Sequence, residues 1–136
     1  SRWKRISRES LKADAKISGH YVNSILASIE AKEAGFEEAL LLDIKGNIAE
    51  GSGENVFIIK DNRIYTPKLG TILPGITRDS VVKIARDLGY DVEEKDISLK
   101  KLLNADELFF TGTACEITGI SQVAVTSDSY NNLPFS

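Results

Sequence analysis

Four segments of the chain place chemically capable side chains beside a predicted helix or strand, and the first two supply an amine and a carboxylate. Lys16 stands between Ala15 and Ile17 at the start of an apolar helix, where a core-facing residue is expected. It is either a reactive amine or a lysine that keeps its ammonium in water while its stem covers apolar surface. Glu50 begins the polar, glycine-rich residues 50–55 between two apolar strands. The glycines there permit a close backbone approach to a ligand, or the segment is a hairpin loop with solvated carboxylates.

The other two segments are candidate anion sites. Residues 73–78 lead into a helix, whose free backbone N–H groups and dipole attract an anion; the simpler interpretation is that Thr77 caps this helix. Residues 111–116 form a threonine-rich turn after an apolar strand, which either holds an anion or bonds its own backbone through its hydroxyls. An amine, a carboxylate and two anion cradles together match what pyridoxal phosphate requires: a Schiff-base partner, a partner for its pyridine nitrogen and a phosphate cup.

Hydrophobic periodicity predicts the elements that must position these residues. The expected helices are 17–34, 77–88 and a short one through Leu103 that is capped by Ser98. The expected strands are 39–43, 48–50, 56–59, 64–66, 92–97, 107–110 and 117–125.

Tight turns join most of these strands, so the sheet must be partly antiparallel. The sequence therefore predicts a mixed α/β domain rather than a doubly wound parallel sheet. No linker or internal repeat interrupts the pattern, so residues 1–136 are expected to form one domain. The apolar stripe of the second long helix is expected to consist of Ile76, Val81, Ile84, Ala85 and Leu88.

Composition removes several classes of protein. The 136 residues carry 17 Lys+Arg against 20 Asp+Glu, a net charge of −3, which argues against nucleic-acid and anionic-membrane partners. One cysteine and one histidine provide neither an internal disulfide nor a multi-histidine metal site. No apolar run approaches the roughly 20 residues of a membrane helix, and no apolar stretch follows the basic start as in a signal peptide. A cytoplasmic location is the expectation.

The same segments, in the same order, resemble the fold-type IV pyridoxal-phosphate aminotransferases, most closely the branched-chain amino-acid aminotransferases. The matching segments are residues 15–16, 19–21, 50–55, 73–78 and 111–118. The resemblance implies a partly antiparallel pseudo-barrel sheet with flanking helices, as in the large, C-terminal domain of the D-amino-acid aminotransferase-like enzymes. It also implies pyridoxal 5'-phosphate as cofactor, amino-acid and keto-acid substrates, and a homo-oligomer whose active sites lie at dimer interfaces.

The resemblance assigns roles to individual residues. Lys16 is similar to the catalytic lysine that forms a Schiff base with the cofactor and then moves a proton as acid and base. Tyr21 corresponds to the tyrosine that hydrogen-bonds the cofactor's phenolic oxygen. Glu50 resembles the carboxylate that keeps the pyridine nitrogen protonated, and Leu73 resembles the apolar residue against the ring.

The phosphate and substrate sites are assigned in the same way. Ile76 and Thr77 resemble the phosphate cup at the start of a helix, and Thr113 closes that cup. Thr113 and Ala114 also match backbone donors near the substrate carboxylate in the family.

Two departures from the family pattern shape the expectation for this chain. Family members are much longer, and their N-terminal small domain, which supplies a phosphate-binding arginine and much of the substrate pocket, has no counterpart here. Residues 121–136 look like a divergent or truncated tail. The chain is therefore expected to be an isolated cofactor-binding domain over residues 1–136, with weak cofactor binding and little or no turnover alone.

Three functions remain open at this point. The first is transamination of the branched-chain L-amino acids leucine, isoleucine and valine with 2-oxoglutarate, favoured by residues 21–24 and by Leu73-Pro74. The second is D-amino-acid aminotransferase or aminodeoxychorismate lyase activity in the same superfamily. The third is a cofactor-domain fragment that folds or assembles without catalysis.

Overall fold

The computed structural model describes residues 1–125. A 3₁₀ turn at Ser18–His20 leads directly into helix α1 (Tyr21–Glu33). The elements that follow are β1 (Leu40–Leu42), β2 (Ile48–Gly51), β3 (Asn55–Lys60), β4 (Arg63–Pro67), α2 (Ile76–Asp87), β5 (Asp91–Lys95), α3 (Leu99–Leu103), β6 (Glu107–Gly112) and β7 (Glu116–Gly119). This is the predicted order of helices and strands, and the predicted Ser98 cap is confirmed by its hydroxyl accepting the Lys101 N–H at 3.2 Å.

The strands form two sheets. The larger has the order β5-β4-β3-β6-β7, and β1 and β2 form the smaller. β4 and β5 run parallel, whereas every other pairing is antiparallel. A tight turn joins β3 to β4, with Asp61 and Asn62 both at positive φ, while the parallel pair needs the longer crossover that α2 provides. The mixed α/β class and the partly antiparallel sheet are confirmed.

Alternation along β3 divides the core into two layers, because successive side chains of a strand point to opposite faces. Val56 and Ile58 face a cluster that also contains Leu42, Ile48 and Leu102. Phe57 faces the other way and packs under α2 with Val82 and Ala85. Both faces of β3 are therefore buried, and the strand holds the smaller sheet on one side and α2 on the other.

Helix α2 presents a different face to the sheet from the predicted one. Ile76, Ile84 and Leu88, which were expected in the apolar stripe, are 81%, 58% and 70% exposed. The buried positions are instead Arg78, Val82 and Ala85, which follow one another at intervals of four and three residues and so share one face. The predicted stripe was right for Ala85 and for Val81, which packs against the same cluster. It was wrong for the three exposed residues because it did not allow a charged residue, Arg78, to occupy a core-facing position.

Helix α1 buries little of its apolar surface. Ala27 is its fully buried residue, whereas Val22, Ile25 and Ile29 are each about half exposed or more.

At the other end of the chain, β7 is shorter than the predicted strand 117–125, since residues 120–125 have no regular secondary structure. The rest of the predicted tail, 126–136, lies outside the described residues. Within the described part of the chain, no helix is long and apolar enough to cross a membrane.

Candidate active site

Four of the predicted site residues line one cleft. Lys16, Tyr21, Glu50 and Leu73 all border it, although they come from the loop before α1, from α1 itself, from β2 and from the loop before α2. Residues to which sequence reasoning assigned no role also line this cleft, among them Arg5, His20 and Asn55. The convergence of four separate segments makes this cleft the candidate active site, which we call the cleft below.

Glu50 lies at the floor of the cleft and is almost fully buried. Its Oε1 accepts a hydrogen bond from the Nε of Arg5 in an ion pair, and both side chains are only 8% exposed. Its Oε2 accepts two hydrogen bonds at 3.0 Å, one from the Asn55 side-chain amide and one from the Leu73 backbone N–H. The solvated-loop interpretation of Glu50 is therefore wrong, because this carboxylate is buried and held by three donors.

The environment of Glu50 changes its acidity. Burial raises the pKa of the Glu50 carboxyl above its ordinary value, since water no longer solvates the anion. The Arg5 charge and the hydrogen bonds from Arg5 and Leu73 act in the opposite direction. A carboxylate with a raised pKa is more basic, so it binds a proton donor in the cleft more strongly.

Arg5 connects the floor of the cleft to the segment that carries Lys16. Its Nη2 donates a hydrogen bond to the Ala13 carbonyl at 3.0 Å, and its Nε donates one to the Glu50 carboxylate. Lys16, three residues after Ala13, is exposed, and it forms no ion pair with any group in residues 1–125. The amine of Lys16 is thus open to a ligand in the cleft, while the backbone just before it is fixed to Glu50.

The start of helix α2 has the features of an anion site. Gly75 is its N-cap residue and provides no side-chain hydrogen bond, so the predicted Thr77 cap is wrong. Ile76 and Thr77 are the first two helical residues, and the N–H groups of a first turn have no partner inside the helix. They do not line the cleft itself, but they follow Leu73, which does.

Thr113 and Ala114 lie on the exposed turn between β6 and β7. They are not among the residues that line the cleft. The turn nevertheless lies beside it: a Cβ added to Gly112 would stand 3.6 Å from the Gly53 carbonyl oxygen and 3.6 Å from Glu54 Cγ, and both of these residues border the cleft. The predicted substrate contacts of Thr113 and Ala114 therefore remain predictions.

Sequence reasoning missed Arg5 and Asn55, for different reasons. Arg5 belongs to a basic start that was considered only as a possible signal peptide, and its partner Glu50 is 45 residues away. Asn55 lies in the segment 50–55 that carries the resemblance, but its role was not recognised. A signal was present, since Asn55 begins the continuous apolar run 56–59, and a polar residue at a buried strand position needs a specific partner.

The fold and the cleft can now be compared with known proteins. The family model for amino-transferase class IV matches residues 1–123. The chain belongs to this family of class IV aminotransferases. The part of the chain that carries the cleft lies entirely within the match.

Individual relatives point to one branch of the family. The chain is 43% identical to the branched-chain-amino-acid aminotransferase of Salmonella typhimurium over 124 residues, 90% of this chain and 40% of that protein. It is 50% identical to the enzyme of the same name from Pseudomonas aeruginosa over 109 residues, 80% of this chain and 36% of that protein. The chain thus spans about 40% of the length of the curated relatives it matches.

Solved structures agree with this comparison. The branched-chain amino acid aminotransferase from Escherichia coli superposes with a TM-score of 0.88 at 43% identity, covering 90% of this chain and 42% of that one. The enzyme from Thermobaculum terrenum, whose structure is of the PLP-bound holo-form, superposes with a TM-score of 0.86 at 41% identity, covering 88% and 40%.

Proposed function

We propose that this chain provides the cofactor-binding domain of a pyridoxal 5'-phosphate-dependent aminotransferase that acts on branched-chain L-amino acids with 2-oxoglutarate. One observation carries the proposal: Lys16, Tyr21, Glu50 and Leu73, from four separate segments, line a single cleft. The relatives named above, all branched-chain aminotransferases, support the choice of substrate.

The donor set of the cleft fits the cofactor. Its pyridine ring needs an acceptor at the nitrogen, which the buried Glu50 carboxylate offers. Its phosphate needs N–H donors, which the first turn of α2 offers at Ile76 and Thr77, beside a glycine N-cap. Its aldehyde needs an amine, which the exposed Lys16 offers. Leu73 supplies an apolar surface for the ring between these ends.

When bound, pyridoxal phosphate supplies an electron-accepting ring that stabilises negative charge at the substrate's Cα. Glu50 holds the proton at the ring nitrogen, and its raised pKa strengthens that hydrogen bond. Tyr21 would hold the phenolic oxygen of the cofactor by a hydrogen bond from its hydroxyl. Lys16 would be the amine that holds the cofactor's aldehyde end, and its amino group would move the proton at the substrate's Cα as acid and base.

The outer part of the site belongs to the turn between β6 and β7. We assign Thr113 to closing the phosphate cup, and the backbone N–H groups of Thr113 and Ala114 to the substrate carboxylate. The substrates are an amino acid and a keto acid, taken in turn at the same site. A homo-oligomer in the cytoplasm is part of the proposal, and the apolar side chains that α1 leaves exposed supply a surface for assembly.

For residues 1–136 alone we propose weak cofactor binding and little turnover. Orienting a substrate over the cofactor can account for about 7–11 kcal/mol of a reaction barrier. The relatives extend well beyond the matched region, and we infer that residues 1–136 supply only part of a substrate-pocket wall.

Transamination by the full-length protein tests the function. Leucine, isoleucine and valine are offered with 2-oxoglutarate, in parallel with D-alanine and with aminodeoxychorismate. Turnover of the branched-chain substrates, its abolition by Lys16→Ala and a loss of at least about tenfold with Glu50→Gln, about 1.4 kcal/mol at the chemical step, are expected. Turnover confined to D-alanine or aminodeoxychorismate would assign the protein to another branch. Cofactor binding without turnover of any of them would support a non-catalytic domain.

A further inference from the structure

Asn55 joins two parts of the site that lie far apart in sequence. It is the first residue of β3 and is 5% exposed. Its Nδ2 donates to Glu50 Oε2 and to the Leu73 carbonyl oxygen, each at 3.0 Å. Both amide hydrogens are therefore committed, one to the carboxylate at the floor of the cleft and one to the loop that leads into α2.

The other end of the same amide fixes the position of the α2 N-terminus. A Cβ added to Gly75 would lie far inside the contact distance of Asn55 Oδ1. Gly75 has φ −68° and ψ 139°, a conformation open to any L-residue. Its lack of a side chain is thus required by the close approach of Asn55 and not by the backbone, so the N-cap of α2 rests directly against this amide.

We propose that Asn55 is a positioning residue that fixes the Glu50 carboxylate relative to the N-terminus of helix α2. The consequence for cofactor binding, that the ring-nitrogen end and the phosphate end of pyridoxal phosphate are held at one separation, rests on the proposed function. We call this link from Glu50 through Asn55 to the N-terminus of α2 the clamp. It is a property of the apoprotein and can be measured without cofactor.

The chemistry of the contact requires an amide. Glu50 Oε2 and the Leu73 carbonyl are both acceptors, so the side chain between them must supply two hydrogens from one atom. An aspartate would place a third acceptor there, and a serine would offer a single, shorter donor. Removing the donors takes one hydrogen bond from each acceptor: Glu50 Oε2 keeps the Leu73 N–H and the Leu73 carbonyl keeps the Gly75 N–H. The loop 73–75 is then held to Glu50 by the Leu73 N–H and no longer through Asn55.

Amide hydrogen exchange on the full-length apoprotein tests the clamp with Asn55→Ser. Exchange at residues 73–78 is expected to accelerate at least about fivefold, because opening of the loop no longer breaks a bond to Asn55. The matched control is Asn47→Ser. Asn47 also donates its side-chain amide to a carboxylate, that of Asp43, at 3.4 Å, but lies outside the cleft. This control is expected to leave residues 73–78 unchanged.

Gly75→Ala tests the contact from its other side and serves if Asn55→Ser does not fold. The added methyl is expected to displace the α2 N-terminus and accelerate the same exchange. In the Asn55→Ser background the smaller side chain leaves room, so the effect of Gly75→Ala is expected to fall by at least about twofold. Additive effects of the two substitutions would overturn the clamp, as would unchanged exchange at 73–78 in the serine variant.

Cofactor affinity separates the clamp from the proposed function. In the full-length protein, Asn55→Ser is expected to raise the Kd for pyridoxal 5'-phosphate at least about fivefold, the effect of losing one hydrogen bond to the buried Glu50 carboxylate. Its Kd for pyridoxal, which lacks the phosphate, is expected to change less, because only the ring end is then engaged. Equal losses for the two ligands would overturn the consequence for cofactor binding, that the ring-nitrogen end and the phosphate end are held at one separation. A wild-type protein that binds neither ligand while the exchange coupling is present would overturn the proposed function and support the clamp.

Discussion

Arg5 and Arg78 are both buried, and each reaches a glutamate, yet the two pairs lie in very different surroundings. Arg5 and Glu50, in the cleft, each keep 8% of the side chain exposed. Arg78, on the buried face of α2, keeps 5%, but its partner Glu94 on β5 keeps 31%. Arg78 donates to Glu94 at 2.8 Å and to the Pro67 carbonyl at 2.9 Å.

The acidity of the two glutamates shifts in opposite directions. Loss of solvation dominates at Glu50 and raises its pKa, despite the charge of Arg5. At Glu94, the hydrogen bond from Arg78 dominates and lowers the pKa. An arginine partner therefore does not by itself decide the state of a carboxylate; the exposure of the carboxylate does. The fully buried pair occupies the candidate active site, whereas the pair with the partly exposed glutamate fastens α2 to the sheet.

The largest expected effect comes from removing the arginine of the fully buried pair. Arg5→Gln leaves the almost fully buried Glu50 carboxylate without a countercharge. The loss in the free energy of unfolding is expected to be about 3–5 kcal/mol, as for other buried pairs broken on one side. Urea denaturation of the wild type and the variant measures it.

A second substitution shows whether the uncompensated charge is the cause. Adding Glu50→Gln to Arg5→Gln removes that charge and is expected to restore a large part of the lost stability. If the double variant is less stable than Arg5→Gln alone, the contribution of Arg5 comes from its packing and from its bond to Ala13 instead.

Removing Arg78 is expected to have a smaller effect, because Glu94 can return to water. Arg78→Met keeps the length and apolar stem of the side chain but leaves the Pro67 carbonyl without this donor. A loss of about 1–3 kcal/mol in the free energy of unfolding is expected, the usual range for a buried acceptor left unpaired. A loss as large as that of Arg5→Gln would contradict the ranking by exposure of the carboxylate.

The two glutamates are also expected to shape the pH dependence of stability with opposite signs. The raised pKa of Glu50 means that the folded state binds this proton more tightly than the unfolded state does. Its contribution to stability is present at low pH and is lost as the pH rises above the ordinary value of about 4.3 toward the raised one. The lowered pKa of Glu94 gives a contribution that is present above that ordinary value and is lost as the pH falls through the lowered one.

Urea denaturation as a function of pH, with Glu50→Gln and Glu94→Gln, measures this difference. The ordinary glutamate pKa of about 4.3 sets the boundary. The free energy of unfolding of the wild type relative to Glu50→Gln should fall as the pH rises above that boundary. The same difference relative to Glu94→Gln should fall as the pH drops below it. Two differences that vary with pH in the same direction would show that the partner arginine, and not burial, sets both acidities.

The buried arginines also mark what could and could not be predicted from the sequence. Local patterns predicted the order of the elements, because hydrophobic runs and turn residues act within a few positions of one another. The resemblance to a family led to Lys16, Tyr21, Glu50 and Leu73, which the fold brings to one cleft. Arg5 was missed because its partner is remote in sequence. The inward face of α2 was predicted only in part, because Arg78 occupies one of its positions.

An exposed ion pair provides the lower end of the comparison and the smallest expected effect. Arg63 and Asp91 are register partners on the parallel strands β4 and β5, with Nε 3.1 Å from Oδ2 and side chains 58% and 59% exposed. Water solvates both groups whether or not they meet, and salt screens their attraction, so Arg63→Ala is expected to cost about 0.2–1 kcal/mol. Repeating the denaturation in about 1 M salt, where the Debye length is about 3 Å, should remove most of that difference. A larger loss that persists in salt would mean that the arginine stem packs along the sheet, and that charge exposure alone does not rank the three pairs.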